Sequence, residues 1–175
     1  MILFDCETDG LLDDLTKVHC IVCYDTDTDK THVFNDQGDK EPIIRAVTLL
    51  EEADCIVGHN VIGYDIPALR KVYPFFDPSG SVIDTLLLSR LLHPNLLKVD
   101  LKRKWPQMPL QLYGRHSLES YGYRLGTYKG SFGKTTDWKE WSQEMQDYCE
   151  QDIEVTKALC NHFRPYLDGS KWSTG

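Results

Sequence analysis

Residues 2–8 read Ile-Leu-Phe-Asp-Cys-Glu-Thr, an apolar run that starts directly after Met1 and carries two carboxylates one residue apart. Along a strand alternate side chains share a face, so Asp5 and Glu7 point one way while Phe4 and Cys6 pack on the other. Two acids on one face of such a strand repel each other and are costly to desolvate unless a cation sits between them. Divalent magnesium or manganese, which take carboxylate oxygens, would meet that need. The alternative is a solvated pair on an edge strand, because motifs of this size also arise by chance.

The 175 residues, 41% of them hydrophobic, suit a single compact domain. A net charge of -8 argues against broad contact with a duplex backbone. It leaves room for a site that grips a short strand end through bound metals. The N-terminus lacks a basic region followed by a long apolar core, and no apolar run is long enough to span a bilayer. A cytoplasmic protein with no membrane partner is the expectation. Of the six cysteines, Cys20 and Cys23 have the spacing of half a zinc site, with His19 beside them. No second pair follows at ligand spacing, which favours small buried thiols.

Strands are expected at 18–24 and 31–34, joined by the turn-rich link 25–30, so that three antiparallel strands open the domain. Helical spacing of apolar residues marks 41–53, followed by a short buried strand at 54–58 and a helix at 66–73 that tolerates Pro67 in its first turn. A last strand at 82–84 leads into a helix at 85–92. The stretch 98–113, rich in Lys, Arg, aromatics and proline, reads as a surface loop. A helix follows at 116–124, then a glycine-rich, mobile stretch at 126–136 and a long helix at 138–163. Strands followed by alternating helix and strand imply an α/β fold, a mixed β-sheet flanked by helices.

Two further acids stand in suggestive places. Asp65 ends Asn60-Val61-Ile62-Gly63-Tyr64-Asp65, where a buried strand hands over to a helix; alone, it would be an ordinary helix N-cap. Tyr148 and Asp152 are four residues apart on the last helix and share a face. Taken together, Asp-x-Glu, Asn-x3-Tyr-Asp and Tyr-x3-Asp resemble the three exonuclease motifs of the DEDD superfamily, in the subclass with a catalytic tyrosine. Residues 57–60, 83–91 and 118–126 look like the proofreading domain of family A DNA polymerases from short-tailed phages. This resemblance covers Met1 to about Phe163 and implies a ribonuclease-H-like fold with an exonuclease domain at 1–165 and a frayed tail at 166–175. No polymerase domain follows in the sequence.

The resemblance further implies a 3′→5′ exonuclease acting on the 3′ end of single-stranded DNA, in proofreading or as a separate subunit of a DNA polymerase, in cis or in trans. Two magnesium or manganese ions, roughly 3.5–4 Å apart in this chemistry, would be held by Asp5, Glu7, Asp65 and Asp152. Tyr148 would orient the attacking water. Thr8, Leu11, Leu12 and Asn60 would touch the terminal nucleotides with little base preference. Asp84 looks like a fifth ligand, but the motifs leave it a supporting role at a helix start or a nearby backbone group. A catalytically silent binding module and an exoribonuclease are the competing readings.

Overall fold

The computed structural model describes residues 1–127 and 137–171. Its centre is a five-stranded sheet built from β1 (Ile2–Thr8), β2 (Val18–Asp25), β3 (Lys30–Asn35), β4 (Cys55–Gly58) and β5 (Ser81–Asp84), in the order β3-β2-β1-β4-β5. Short links force β1, β2 and β3 to return antiparallel, whereas helical crossovers bring β4 and β5 in parallel to β1. The mixed α/β sheet expected from the sequence is the one observed.

Alternation along the strands divides the molecule into two layers. Ile2, Phe4 and Cys6 of β1, with Ile21 and Cys23 of β2, pack against α1 (Ile43–Glu52) and α2 (Ile66–Val72). On the opposite face Leu3, Cys20 and Val22 meet Cys149, Ile153 and Cys160 of α6 (Gln143–Leu167). Cys20 and Cys23 thus belong to opposite layers and cannot converge on one ion. A third cluster joins α3 (Thr85–Leu92), α5 (Leu118–Leu125) and α6 through Leu88, Tyr121, Leu159 and Phe163. Gly58 closes β4 where a Cβ would lie 2.9 Å from the Phe4 carbonyl oxygen, so the chain can press against β1 before turning away.

Several boundaries differ from the expected ones for physical reasons. The long helix begins at Gln143 instead of 138, because Asp137 accepts the Lys139 N–H in a turn and the Ser142 side chain accepts the Met145 N–H as N-cap. It runs on to Leu167, past Pro165. The first helix starts at Ile43, after Pro42, with its N–H donated to Asp36 Oδ1 at 3.0 Å. The largest correction concerns 98–113, which is not simply a loop. Helix α4 (Leu96–Arg103) and a 3₁₀ turn (Leu110–Leu112) lie there. Leu96 and Asp100, one turn apart, form the buried side of α4. The glycine-rich stretch expected to be mobile falls largely on 128–136, outside the described residues, as do the last four residues of the expected tail. No helix among the described residues is long and apolar enough to cross a membrane.

Candidate active site

Asp5 and Glu7 share the face of β1 that α6 covers, opposite Val22 and Cys20 of β2 in register. Both are half-buried. The Cys149 thiol of α6 donates to Asp5 Oδ2 at 3.3 Å and lies 3.4 Å from the Asp5 carbonyl oxygen. Potential ligand atoms of Asp5, Glu7 and Cys149 all fall within 4.8 Å of one another. Asp152, half-buried and nearly one turn beyond Cys149, stands outside this tight group but inside its electrostatic field.

Asp65 reaches the group from the other side. β4 pairs with β1 only at Ile2 and Leu3, so the outer edge of β1 has no strand partner at Cys6. The buried Asp65 carboxylate fills that gap, accepting from Cys6 N at 3.1 Å and from the Cys6 thiol at 3.0 Å. It sits at the end of a π-helical turn (Val61–Asp65) and makes no side-chain cap of α2, so the N-cap reading does not hold. Asp84 has the supporting role expected of it. Its carboxylate accepts from Leu86 N as N-cap of α3, and from Asn60 N and Ile62 N at 2.9 and 3.0 Å. It thereby fixes the turn that delivers Asp65.

The electrostatics follow from this crowding. Burial raises the Asp5 carboxyl to about 7 despite the thiol bond from Cys149. Glu7 is pushed well above the usual carboxylate range by burial and by the charges of Asp5 and Asp152. Burial and Asp5 do the same to Asp65, whose bonds from Cys6 offset part of the rise, and to Asp152. Among the described residues, the ion pairs found engage other acids. Tyr148, half-buried, is raised above its ordinary value by burial and then by Asp152, Glu7 and Asp5. Its phenol keeps its proton at neutral pH.

Beside the acids opens a cleft of about 320 Å³ lined by Glu7, Thr8, Gly10, Leu11, Tyr64 and Trp138. Thr8 Oγ1, Tyr64 Oη and the Gly10 carbonyl oxygen form a hydrogen-bonded triangle: the two hydroxyls lie 2.8 and 2.7 Å from the carbonyl, and one of them donates to the other while the second donates to the carbonyl. Leu11 stands 76% exposed, an apolar side chain held in water at the mouth of the cleft. Leu12 is half-buried, and its carbonyl is tied by Lys71 Nζ at 2.7 Å. Asn60 is exposed at the head of the turn, in the left-handed region at φ 62°. Cys149, Tyr64 and Trp138 were not singled out from the sequence. Tyr64 stood inside a motif, but the position of Trp138 depends on its carbonyl meeting the buried His19 Nε2 at 2.7 Å, a contact 119 residues apart.

A mixed sheet with a carboxylate cluster where its central strand meets a long helix defines a ribonuclease-H-like fold. A family model of the RNase_H superfamily matches residues 2–164, and the chain belongs to that superfamily. The chain is 34% identical, over 198 aligned residues, to the DNA-directed DNA polymerase of Enterobacteria phage T3, and covers 96% of itself and 28% of that polymerase. It therefore spans little more than a quarter of the curated relative. Among solved structures, Brucella melitensis NrnC with bound Mg2+ superposes with a TM-score of 0.58 at 18% identity, covering 96% of this chain and 74% of that one. The zinc-bound complex of E. coli ExoI with ssDNA gives 0.58 at 16% identity, over 98% and 42%.

Proposed function

We propose that this protein is a metal-dependent 3′→5′ exonuclease that removes nucleotides from the end of single-stranded DNA. The observation that carries the reading is the set of four acids, Asp5, Glu7, Asp65 and Asp152, withdrawn from water and raised in pKa mainly by burial. Such a cluster is unfavourable alone and fits hard divalent cations, magnesium or manganese, taken through carboxylate oxygens. Asp5 at the centre would serve two ions, Glu7 and Asp152 one of them, and Asp65 the other. Bound there, a pair of ions would activate water and offset charge on the scissile phosphate.

The side chains themselves supply position. Tyr148, protonated and beside Asp152, orients the attacking water by a hydrogen bond; its raised pKa disfavours a role as base. Thr8, Tyr64 and the Gly10 carbonyl stiffen the wall of the cleft, and Leu11 with Leu12 offers an apolar surface for the terminal base. Asn60, exposed at the head of the turn that delivers Asp65, would also approach the strand. The 34% identity to a phage DNA polymerase supports DNA as substrate, a polymerase in cis or in trans as partner, the catalytic unit at 1–165 and the host cytoplasm as its place of action. Incubation with end-labelled DNA and RNA oligonucleotides in Mg2+, Mn2+ or EDTA tests the reading. It requires stepwise shortening from the 3′ end, faster on DNA and stopped by EDTA. A protein inert in both metals, or one that shortens only RNA, would refute it.

A further inference from the structure

An acidic protein that works on a polyanion must attract it somewhere other than its catalytic carboxylates. Between residues 85 and 118 the chain has one acid, Asp100, which is buried and paired with Arg124. The same stretch has six cations, Arg90, Lys98, Lys102, Arg103, Lys104 and Arg115, and all are exposed. The rest of the chain is accordingly more acidic than its overall charge of -8. On α4 the buried line through Leu96 and Asp100 turns Lys98 and Lys102, four residues apart, together toward solvent.

Next to this basic surface is a cavity of about 500 Å³, in the range of small-ligand sites. Among the described residues, no carboxylate lines it. Its walls combine apolar Leu92, Val99 and Leu125 with Arg103, Trp105 and His162. The Arg103 guanidinium lies over the Trp105 ring at 4.5 Å, and His162 Nε2 meets His93 Nε2 at 2.7 Å. Planar cations and aromatic rings beside a row of lysines form a stacking platform along a backbone track, the combination that holds single strands without base preference.

The cavity shares no lining residue with the catalytic cleft. Helix α5 links the two: the charge of Glu119 at its start acts on Asp152, and Leu125 at its end lines the cavity. Along α6, Asp152 and His162 are ten residues apart, a rise of about 15 Å. That is roughly four to five nucleotides at the ~3.4 Å spacing of a stacked strand.

We infer that α4 and this cavity form a second single-strand site, in which a base several nucleotides upstream of the 3′ end stacks near Trp105 while Lys98 and Lys102 follow the phosphates. The inference rests on the exonuclease reading for the direction of the strand. Its test uses a trinucleotide, too short to reach the cavity, and a 15-mer, with binding followed by fluorescence anisotropy in EDTA and hydrolysis followed in Mn2+. Lys98→Glu with Lys102→Glu is expected to weaken 15-mer binding about tenfold or more. It should also make the plot of log affinity against log salt shallower by about 1.4, the share of two phosphate contacts on a single strand. Trinucleotide hydrolysis should stay unchanged. The control pair Lys30→Glu with Arg45→Glu makes the same change in net charge on another part of the surface and should leave 15-mer binding nearly intact. Equal losses in the two pairs would reduce the effect to overall charge and overturn the inference. Unchanged 15-mer binding in the Lys98→Glu, Lys102→Glu variant would overturn it. If the wild type hydrolyses neither oligonucleotide the exonuclease reading fails, and the anisotropy comparison still decides the second site.

Discussion

Asp100 and Asp5 are both acids taken out of bulk water, one held against Arg124 of α5 and the other against Cys149 of α6. Asp100 accepts from Trp105 Nε1 at 2.8 Å, Gly114 N at 2.8 Å, and Arg124 Nε and Nη2 at 3.0 and 2.7 Å. Burial alone would raise its pKa, but these bonds outweigh it and hold the carboxyl below its ordinary value. Asp5 has a thiol for a partner, too weak to offset burial, so its pKa rises to about 7, and its charge in turn raises Glu7, Asp65 and Asp152. One region has completed its electrostatics within the fold, and the other leaves them to be completed by something bound. The first arrangement ties α4 to α5; the second stores the unfavourable charge that a divalent ion would relieve.

The comparison breaks most visibly in activity. Asp5→Ala or Asp152→Ala should abolish hydrolysis of a labelled single strand while circular dichroism stays native, and near-normal turnover in either would remove that acid from the reaction. Tyr148→Phe keeps the ring and loses one hydrogen bond, so its rate should fall on the order of 10²–10⁴-fold with metal binding retained. An unimpaired Phe variant would leave water orientation to other groups.

At Asp100 the expected cost lies in stability. Asp100→Ala leaves the Arg124 guanidinium buried without its partner and should cost about 3–5 kcal/mol in a urea titration. Replacing both, as Asp100→Leu with Arg124→Met, should recover most of that loss, because the apolar pair needs no desolvated charge. A double variant as unstable as the single one would mean that the hydrogen bonds to Trp105 and Gly114 matter more than the ion pair.

The smallest effect is one of pH. Burial lowers His59 to about 4, below the ~6.5 of an unfolded histidine. The unfolded chain therefore takes up a proton that the folded one refuses, and stability from this group is lost as pH falls from about 6.5 to about 4. The site carboxylates act with the opposite sign. Their folded pKa values are raised, so the metal-free protein loses stability as pH rises from about 4 through about 7. Subtracting the melting profile of His59→Gln from that of the wild type should isolate the histidine, and a flat difference across that window would contradict its assignment.

Much of this layout is legible in the chain because its causes are local. The alternation of Asp5 and Glu7 with apolar Phe4 and Cys6 shows the faces of β1, and the spacing of Tyr148 and Asp152 shows a shared helix side. Helix α4 was hidden for a non-local reason: Asp100 in its middle looks like a solvated loop acid until Arg124, 24 residues on, is seen to pair with it. The same holds for Cys149, whose bond to Asp5 spans 144 residues, and for Asp65, whose role depends on β4 ending early enough to leave the Cys6 N–H open.

The central claim, that Asp5 is strained by its surroundings until a divalent ion arrives, is tested most directly by thermal melts of the wild type and Asp5→Asn in EDTA and across a Mn2+ titration. The account predicts that Asp5→Asn melts higher than the wild type in EDTA, by about 2–4 °C for each kcal/mol of repulsion removed. It predicts further that Mn2+ raises the wild-type melting temperature saturably and leaves that of the variant nearly unmoved. A wild type indifferent to Mn2+, together with an Asp5→Asn variant that melts lower in EDTA, would contradict it.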